Sequence, residues 1–359
     1  MRFTTIALTN YRNIEFARLA VDAPRVFFYG RNGQGKTNML EAIGLSTTLR
    51  AFRAKENEIL IGSKSEYSEI LYEAIQDNSD ELNAKVRIKR RGKEVSAEGS
   101  MVKRASEFVG RMPTVVLSSG DLSIARGSPS IRRRYLDTFL CGVDRSYFTA
   151  LQRFQKALQE RNALLKTGPE ESLLSAFEAQ LIEPAAELVK GRRAAMETLN
   201  ELAQGFYARL SGEAEVISVE YQPNFDCDNG EAYVNQLSKS RGRDLMLQTT
   251  SKGPHRDDFR LLLNGRSAAD FASDGQQRSI VLSLSFAMIS YWRKEFRVAP
   301  VVLADDILGE LDPERKKRFW EAMDSDLQVF ATGTELPSEY EKNDWLLFEV
   351  SEGRFEQMS

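Results

Sequence analysis

Gly30-Arg31-Asn32-Gly33-Gln34-Gly35-Lys36-Thr37 matches G-x-x-x-x-G-K-[ST], the phosphate-cradling P-loop. The motif works only where a strand runs into a glycine turn and a helix opens behind it, so it constrains the fold as well as the chemistry. Both flanks fit. Arg25 to Tyr29 reads as a short buried strand, and Asn38 to Ile43 opens a helix. The glycines let the backbone wrap an anion, and the free N–H groups of the first helical turn face it. Lys36 is placed to reach the β- and γ-phosphates of a nucleoside triphosphate, and the Thr37 hydroxyl to coordinate Mg²⁺. A plain glycine turn is the competing reading, and Lys-Thr in register with the correct flanks decides against it.

A P-loop needs a second element to hold the metal. Val301 to Ala304 is an apolar strand that delivers Asp305 and Asp306 at its C-terminal end, where ligands collect in an open α/β sheet. Asp305 suits the Mg²⁺ role, and Asp306 suits orientation or deprotonation of an attacking water. Gly309-Glu310-Leu311-Asp312-Pro313 follows, with a helix expected from Glu314. Upstream, Ser273-Asp274-Gly275-Gln276 introduces a buried helix over Ser279 to Trp292. Taken alone it is a helix cap offering a hydroxyl and free N–H groups.

At 359 residues, two lobes are expected. Alternation at Ile70 to Ala74 and Ala84 to Ile88 indicates antiparallel strands with one solvated face, and Thr114 to Leu117 a deeper strand. Two early strands are expected, one carrying Phe3, Ile6 and Leu8 and one Val21 with Val26 to Phe28, around the turn-like Tyr11-Arg12-Asn13. Tyr147, Leu151, Phe154 and Leu158 recur at helical spacing in a helix roughly 30 Å long. A second helical region runs from Leu173 to Leu210, with Pro184 and Gly191 kinking or dividing it and Gly212 ending it. Strands return at Val216 to Val219, Phe259 to Leu263, Val329 to Ala331 and Leu346 to Val350.

The net charge of −3 decides nothing, but its distribution is uneven. Lys85, Arg87, Lys89, Arg90, Arg91 and Lys93 crowd a strand–turn–strand segment, and Arg132 to Arg134 and Arg192-Arg193 form further clusters. Such a patch is either a polyanion site or a solvated hairpin. No apolar run is long enough to span a bilayer, and the N-terminus has no secretory layout. Cys141 and Cys227 are far apart and in no ligand spacing, so a cytoplasmic protein without a disulfide framework is expected.

The order P-loop, long insertion, Ser-x-Gly-Gln before a helix, apolar strand with two acids, then Gly-Glu-Leu-Asp is that of ABC-type ATPases. Within them the chain resembles the RecF family, DNA-repair ATPases related to the heads of SMC proteins. Besides those motifs, the resemblance rests on Leu8 to Asn13, Arg50-Ala51-Phe52-Arg53, Arg132 to Asp137, Gln159 to Leu165 and Gly253-Pro254-His255-Arg256-Asp257-Asp258. It implies an α/β ABC-type ATPase head with a P-loop mixed sheet and an antiparallel β subdomain, over 1–118 and 213–359, with a helical lobe over 119–212. It also implies that ATP glues a head-to-head homodimer, with Ser273, Gly275 and Gln276 of one copy closing over the γ-phosphate held by the other. It further implies weak, DNA-stimulated hydrolysis, binding of DNA as duplex next to single-strand gaps, and work with RecR and RecO to load RecA. Arg87, Lys89, Arg90 and Arg91 are the expected DNA contacts.

Three departures from the wider ABC pattern stand out. Asp306 replaces the usual Glu and is one methylene shorter, which favours slow hydrolysis and a switch over a motor. Thr332-Gly333-Thr334 stands where a switch His is usual, and no Q-loop Gln lies near Ser118 to Asp121. Two other readings compete: a P-loop kinase or phosphotransferase, which does not need Ser273-x-Gly275, and an ABC subunit with a non-DNA partner. The short helical insert lacks the sustained heptads of long-arm relatives.

Overall fold

The computed structural model describes all residues except 55, 78, 212–214, 226–229, 337–344 and 359. Gly212 and Cys227 therefore lie outside the described residues, and Cys141 is a buried free thiol. Along the chain the strands are β1 (Arg2–Tyr11), β2 (Ile14–Ala20), β3 (Arg25–Tyr29), β4 (Tyr67–Ile75), β5 (Glu81–Lys89), β6 (Lys93–Ala97), β7 (Ser100–Met101) and β8 (Thr114–Ser118). They continue with β9 (Ile217–Gln222), β10 (Asp258–Leu263), β11 (Arg266–Ser267), β12 (Val301–Asp305), β13 (Val329–Gly333), β14 (Leu346–Ser351) and β15 (Arg354–Gln357).

The chain divides into two compact units, one of Met1–Asp121, Arg209–Gly212 and Ser285–Ser359, the other of Leu122–Ala208 and Glu213–Leu284. The first holds two six-stranded sheets. One is antiparallel in the order β2-β1-β4-β5-β6-β7; the other runs β15-β14-β3-β13-β12-β8, parallel except at β15. The P-loop helix, Lys36–Thr48, is buried on nearly all sides within a core drawn from both sheets. Phe28 on β3 packs against Phe330 and Phe348 of the neighbouring strands. Gln328, buried, joins the sheets: it accepts from the Phe3 N–H at 2.7 Å and donates to the carbonyls of Phe3 and Val21. Parallel strands covered on both faces read as unbroken apolar runs, which is why β3 and β12 are legible in the sequence.

The early region differs from expectation by one strand. β2 follows directly on the Arg12-Asn13 turn, its inward positions being Ile14, Ala17 and Leu19 while Phe16 is exposed. A small Ala facing in and a Phe facing out blur the alternation.

The second unit combines helices with the small sheet β11-β10-β9. Contacts group 213–284 with the helices, where the sequence grouped them with the ATPase lobe. The link is polar: Arg132, on helix Pro129–Val143, grips Asp258 at the start of β10 with bonds of 2.7 and 2.9 Å. The expected helix at Tyr147 is present as Arg145–Leu165. The region after it is one helix, Glu171–Ser211, running through Pro184 without division. Gly191 marks close packing there: a Cβ on it would lie 2.9 Å from the Tyr147 ring.

Candidate ATP site

β3 occupies the middle of the parallel sheet and feeds the P-loop, whose tip (Arg31, Asn32, Gly33) is exposed while Lys36 is buried. The Lys36 ammonium donates to the carbonyls of Gly30 at 2.5 Å and Arg31 at 2.9 Å, so it lies folded back within the loop. Burial lowers its pKa, and the charges of Asp306 and Asp305 oppose that. Thr37 donates its hydroxyl to Asp305 Oδ1 at 2.8 Å, across 268 positions of sequence. The parallel register that sets β12 two strands from β3 produces this meeting.

Asp305 ends β12 and is buried, which pushes its carboxyl pKa upward; the hydroxyls of Thr37 and Thr332 and the charge of Arg53 pull it back. Asp306 follows with φ 58, a left-handed conformation that Asp tolerates better than most residues. Thr332 on β13 holds both acids, donating to Asp305 Oδ1 at 3.0 Å and accepting the Asp306 N–H at 2.9 Å. The position where a switch His is usual thus holds a buried hydroxyl that orients the acid pair, a role the sequence left open. Asp121, one turn beyond β8, is a third acid that sequence reasoning passed over in looking for a glutamine. Burial pushes its carboxyl up to about 7, the Ser118 N–H opposes, and the charge of Asp305 adds to the rise.

A threonine hydroxyl meeting a carboxylate at the mouth of a glycine loop is a hard-oxygen donor set, which fits Mg²⁺. Among the described residues no cluster of three or more His, Cys, Asp or Glu side chains offers another metal site.

Ser273, Gly275 and Gln276 belong to the second unit. Ser273 and Gln276 form a reciprocal cap: the Ser273 N–H donates to Gln276 Oε1 at 2.8 Å, and the Gln276 N–H to Ser273 Oγ at 3.3 Å. Gln276 also donates to Glu215 at 2.7 Å, and Arg126 pairs with Asp274. The helix Asp274–Phe296 behind this cap is buried from Ser279 to Ile289, as the sequence implies.

The basic segment forms the β5–β6 hairpin, with acids interleaved. Arg87 lies in register between Glu69 and Glu94 and bonds Glu69 at 2.9 Å; Lys85 takes the other Glu69 oxygen at 2.8 Å. Lys89 pairs with Glu94, and Arg90 approaches Glu58 at 3.7 Å, while Arg91 is exposed. In the other basic clusters several arginines are engaged within the second unit. Arg133 donates to the Asp257 carbonyl at 2.6 Å, and Arg192, 2% exposed, bonds Asp137 and Asp257 at 2.8 Å each. Through these bonds Arg132, Arg133 and Arg192 help hold the second unit together.

The RecF/RecN/SMC N-terminal domain model matches residues 2–337. The chain is 34% identical to the DNA replication and repair protein RecF of Geobacter sp. (strain M21), over 99% of both chains. The chain belongs to the RecF family. A second family member, RecF of Streptococcus agalactiae serotype V, is 32% identical over 98% of this chain and 97% of its own. Among solved structures, the recombination mediator protein RecF-ATP of the RecFOR pathway superposes with a TM-score of 0.89 at 30% identity, covering 99% of this chain and 97% of that one. An SMC head bound to the C-terminal winged-helix domain of ScpA shares the fold, with a TM-score of 0.56 at 14% identity over 100% and 97%. The chain is thus an ABC-type ATPase with the head fold of RecF and SMC proteins. The segments Gln159 to Leu165 and Gly253 to Asp258, on which the resemblance partly rests, contribute to buried networks of the second unit. Arg161 bonds Glu178, Asp244 and Thr250 at 2.8, 2.9 and 2.8 Å, and His255 Nε2 lies 2.8 Å from the Thr250 carbonyl. Burial lowers the His255 pKa to about 4, which leaves the lone histidine neutral at physiological pH. Among the described residues no helix is long and apolar enough to cross a membrane.

Proposed function

We propose that this RecF-family chain is an ATP-gated, DNA-binding switch of recombinational repair, in which two copies close around ATP on DNA. The observation that carries the ATP half is the Thr37–Asp305 hydrogen bond, which places P-loop and acid strand at one site. Gly30 to Thr37 would cradle the phosphates, with Lys36 turning from the loop carbonyls to the β- and γ-oxygens. Thr37 and Asp305 would hold Mg²⁺, which when bound neutralises phosphate charge. Asp306, steadied by Thr332, would orient or deprotonate the attacking water. Its short side chain suits slow turnover. A role in DNA repair within a RecFOR pathway is supported by the names of the RecF relatives, and the preference for duplex beside single-strand gaps and the loading of RecA are proposed from the family resemblance alone. A cytoplasmic location goes with that role.

Ser273, Gly275 and Gln276 would close over the γ-phosphate of a second copy, using the hydroxyl and first-turn N–H groups of a helix start. Ser273→Arg is then expected to leave ATP binding by the single chain intact and to abolish the ATP-induced doubling of mass in light scattering. A variant that still dimerises would remove the signature role from Ser273.

For DNA, Arg87, Lys89, Arg90 and Arg91 are the proposed contacts, the β5–β6 hairpin being a basic element on the surface. Three of the four already have carboxylate neighbours, so Arg91 is expected to contribute most. Neutralising all four should weaken DNA binding and flatten the plot of log affinity against log salt, by roughly 0.9 for each phosphate no longer neutralised. An unchanged slope would place the DNA on another face.

A further inference from the structure

Two hairpin turns from two different sheets converge on a single P-loop residue. The β14–β15 turn consists of Glu352 and Gly353, both left-handed at φ 51 and 78. In an ordinary two-residue turn of this kind the outer N–H groups face water. Here both are committed to Gln34: the Glu352 N–H donates to Gln34 Oε1 at 2.7 Å, and the Gly353 N–H to the Gln34 carbonyl at 2.8 Å. From the β1–β2 turn, Asn13 Nδ2 donates to the same carbonyl at 3.1 Å. Asn13 is itself held by Asn38, on the first turn of the P-loop helix, whose Nδ2 donates to Asn13 Oδ1 at 2.7 Å.

We propose that the Glu352-Gly353 turn and Asn13 are positioning residues for ATP, setting the P-loop in its phosphate-receiving shape through Gln34. The geometry of the peptide bond carries the argument. In a planar trans peptide the C=O and the following N–H point in opposite directions. Two donors fixing the Gln34 carbonyl toward the hairpin turns therefore aim the Gly35 N–H the other way, among the N–H groups a P-loop offers to phosphate. The neighbours leave no slack. A Cβ on Gly353 would fall 2.3 Å from the Asn13 carbonyl oxygen, and one on Gly35 would fall 3.1 Å from Asn13 Oδ1. Glu352 keeps a left-handed backbone that its Cβ disfavours, and its N–H reaches Gln34 in that conformation. The C-terminal hairpin thereby acts on the nucleotide without touching it, fixing in advance a loop that would otherwise lose entropy on binding.

The proposal rests on ATP occupying Gly30 to Thr37, and its test separates the two ideas. ATP affinity is measured by titration calorimetry, well below the melting temperature, for the full chain and for Gly353→Ala, Gln34→Met and Gly265→Ala. Gly265 sits in a turn of the same kind, with Asn264 at φ 49 and Gly265 at φ 74, but a Cβ there meets nothing within 4 Å. It therefore reports backbone strain alone. Gly353→Ala and Gln34→Met are expected to bind ATP roughly tenfold more weakly, the worth of one or two hydrogen bonds, with Gly265→Ala matching the parent chain. Should Gly353→Ala fail to fold, Gln34→Met decides, since it removes only the side-chain acceptor. Parent-like affinity in Gln34→Met and in a folded Gly353→Ala would overturn the proposal. Absence of ATP binding by the parent chain would overturn the ATP reading and this proposal with it.

Discussion

Lys36→Met is expected to lower ATP turnover on the order of a hundred- to a thousandfold, the usual cost of removing one group that stabilises charge in the transition state. It should also abolish the ATP-dependent dimer. Lys36 is buried and bonded to the carbonyls of Gly30 and Arg31, so methionine fills much of its volume while leaving those carbonyls without their donor. What is lost is a buried cation close to Asp305 and Asp306, on a side chain long enough to follow the γ-phosphate. Asp306→Asn sets the contrast. It keeps the backbone N–H that bonds Thr332, and it should retain ATP binding and dimerisation while turnover falls. Steady-state ATPase assays with light scattering check both. Equal turnover in Lys36→Met and the parent chain would take the site away from the P-loop, and full turnover in Asp306→Asn would move the general-base role to another group.

Arg161→Met is expected to destabilise the second unit by about 3–5 kcal/mol, the range for breaking a buried ion pair from one side. The Arg161 side chain is fully buried against Glu178 and Asp244, whose side chains are 2% and 0% exposed. Removing the guanidinium leaves two carboxylates in the interior with reduced compensation. Glu178 retains Arg241 at 2.6 Å, and Asp244 retains Ser251 and Ser240, so the lower half of the range is the better expectation. For a unit of this size that corresponds to a melting point lower by on the order of 10 °C. Thermal unfolding followed by circular dichroism measures it, and an unshifted transition would mean that solvent, not Arg161, balances those acids. The same network takes in Asn162, whose Oδ1 accepts from the Thr250 N–H and hydroxyl.

The P-loop and Asp305-Asp306 were legible because each is a local grammar: an apolar strand, then glycines or acids, then a helix. The same holds for the Asp312 cap, whose side chain accepts from the Arg315 N–H as the Asp-Pro spacing implies. The charged clusters were harder to read. Arg132 and Arg192 look like surface charge in the sequence because Asp258 and Asp257, which neutralise them, lie 126 and 65 positions away. Thr332 was read only as a substitute for a missing histidine, since nothing local says that its hydroxyl meets two acids.

The sequence by itself picked out Gly30 to Thr37 as the place where this chain is proposed to bind phosphate, because a helix start with glycines and a lysine carries that chemistry in its own backbone. It also determined the strand that brings the acids. Only the tertiary structure decided which charges are paired, that Thr332 holds the acid pair, and that Gln34 is gripped by turns from both ends of the chain. Those are facts of register: strand pairing sets opposite each other residues hundreds of positions apart, and no spacing along the chain encodes which side chains will meet.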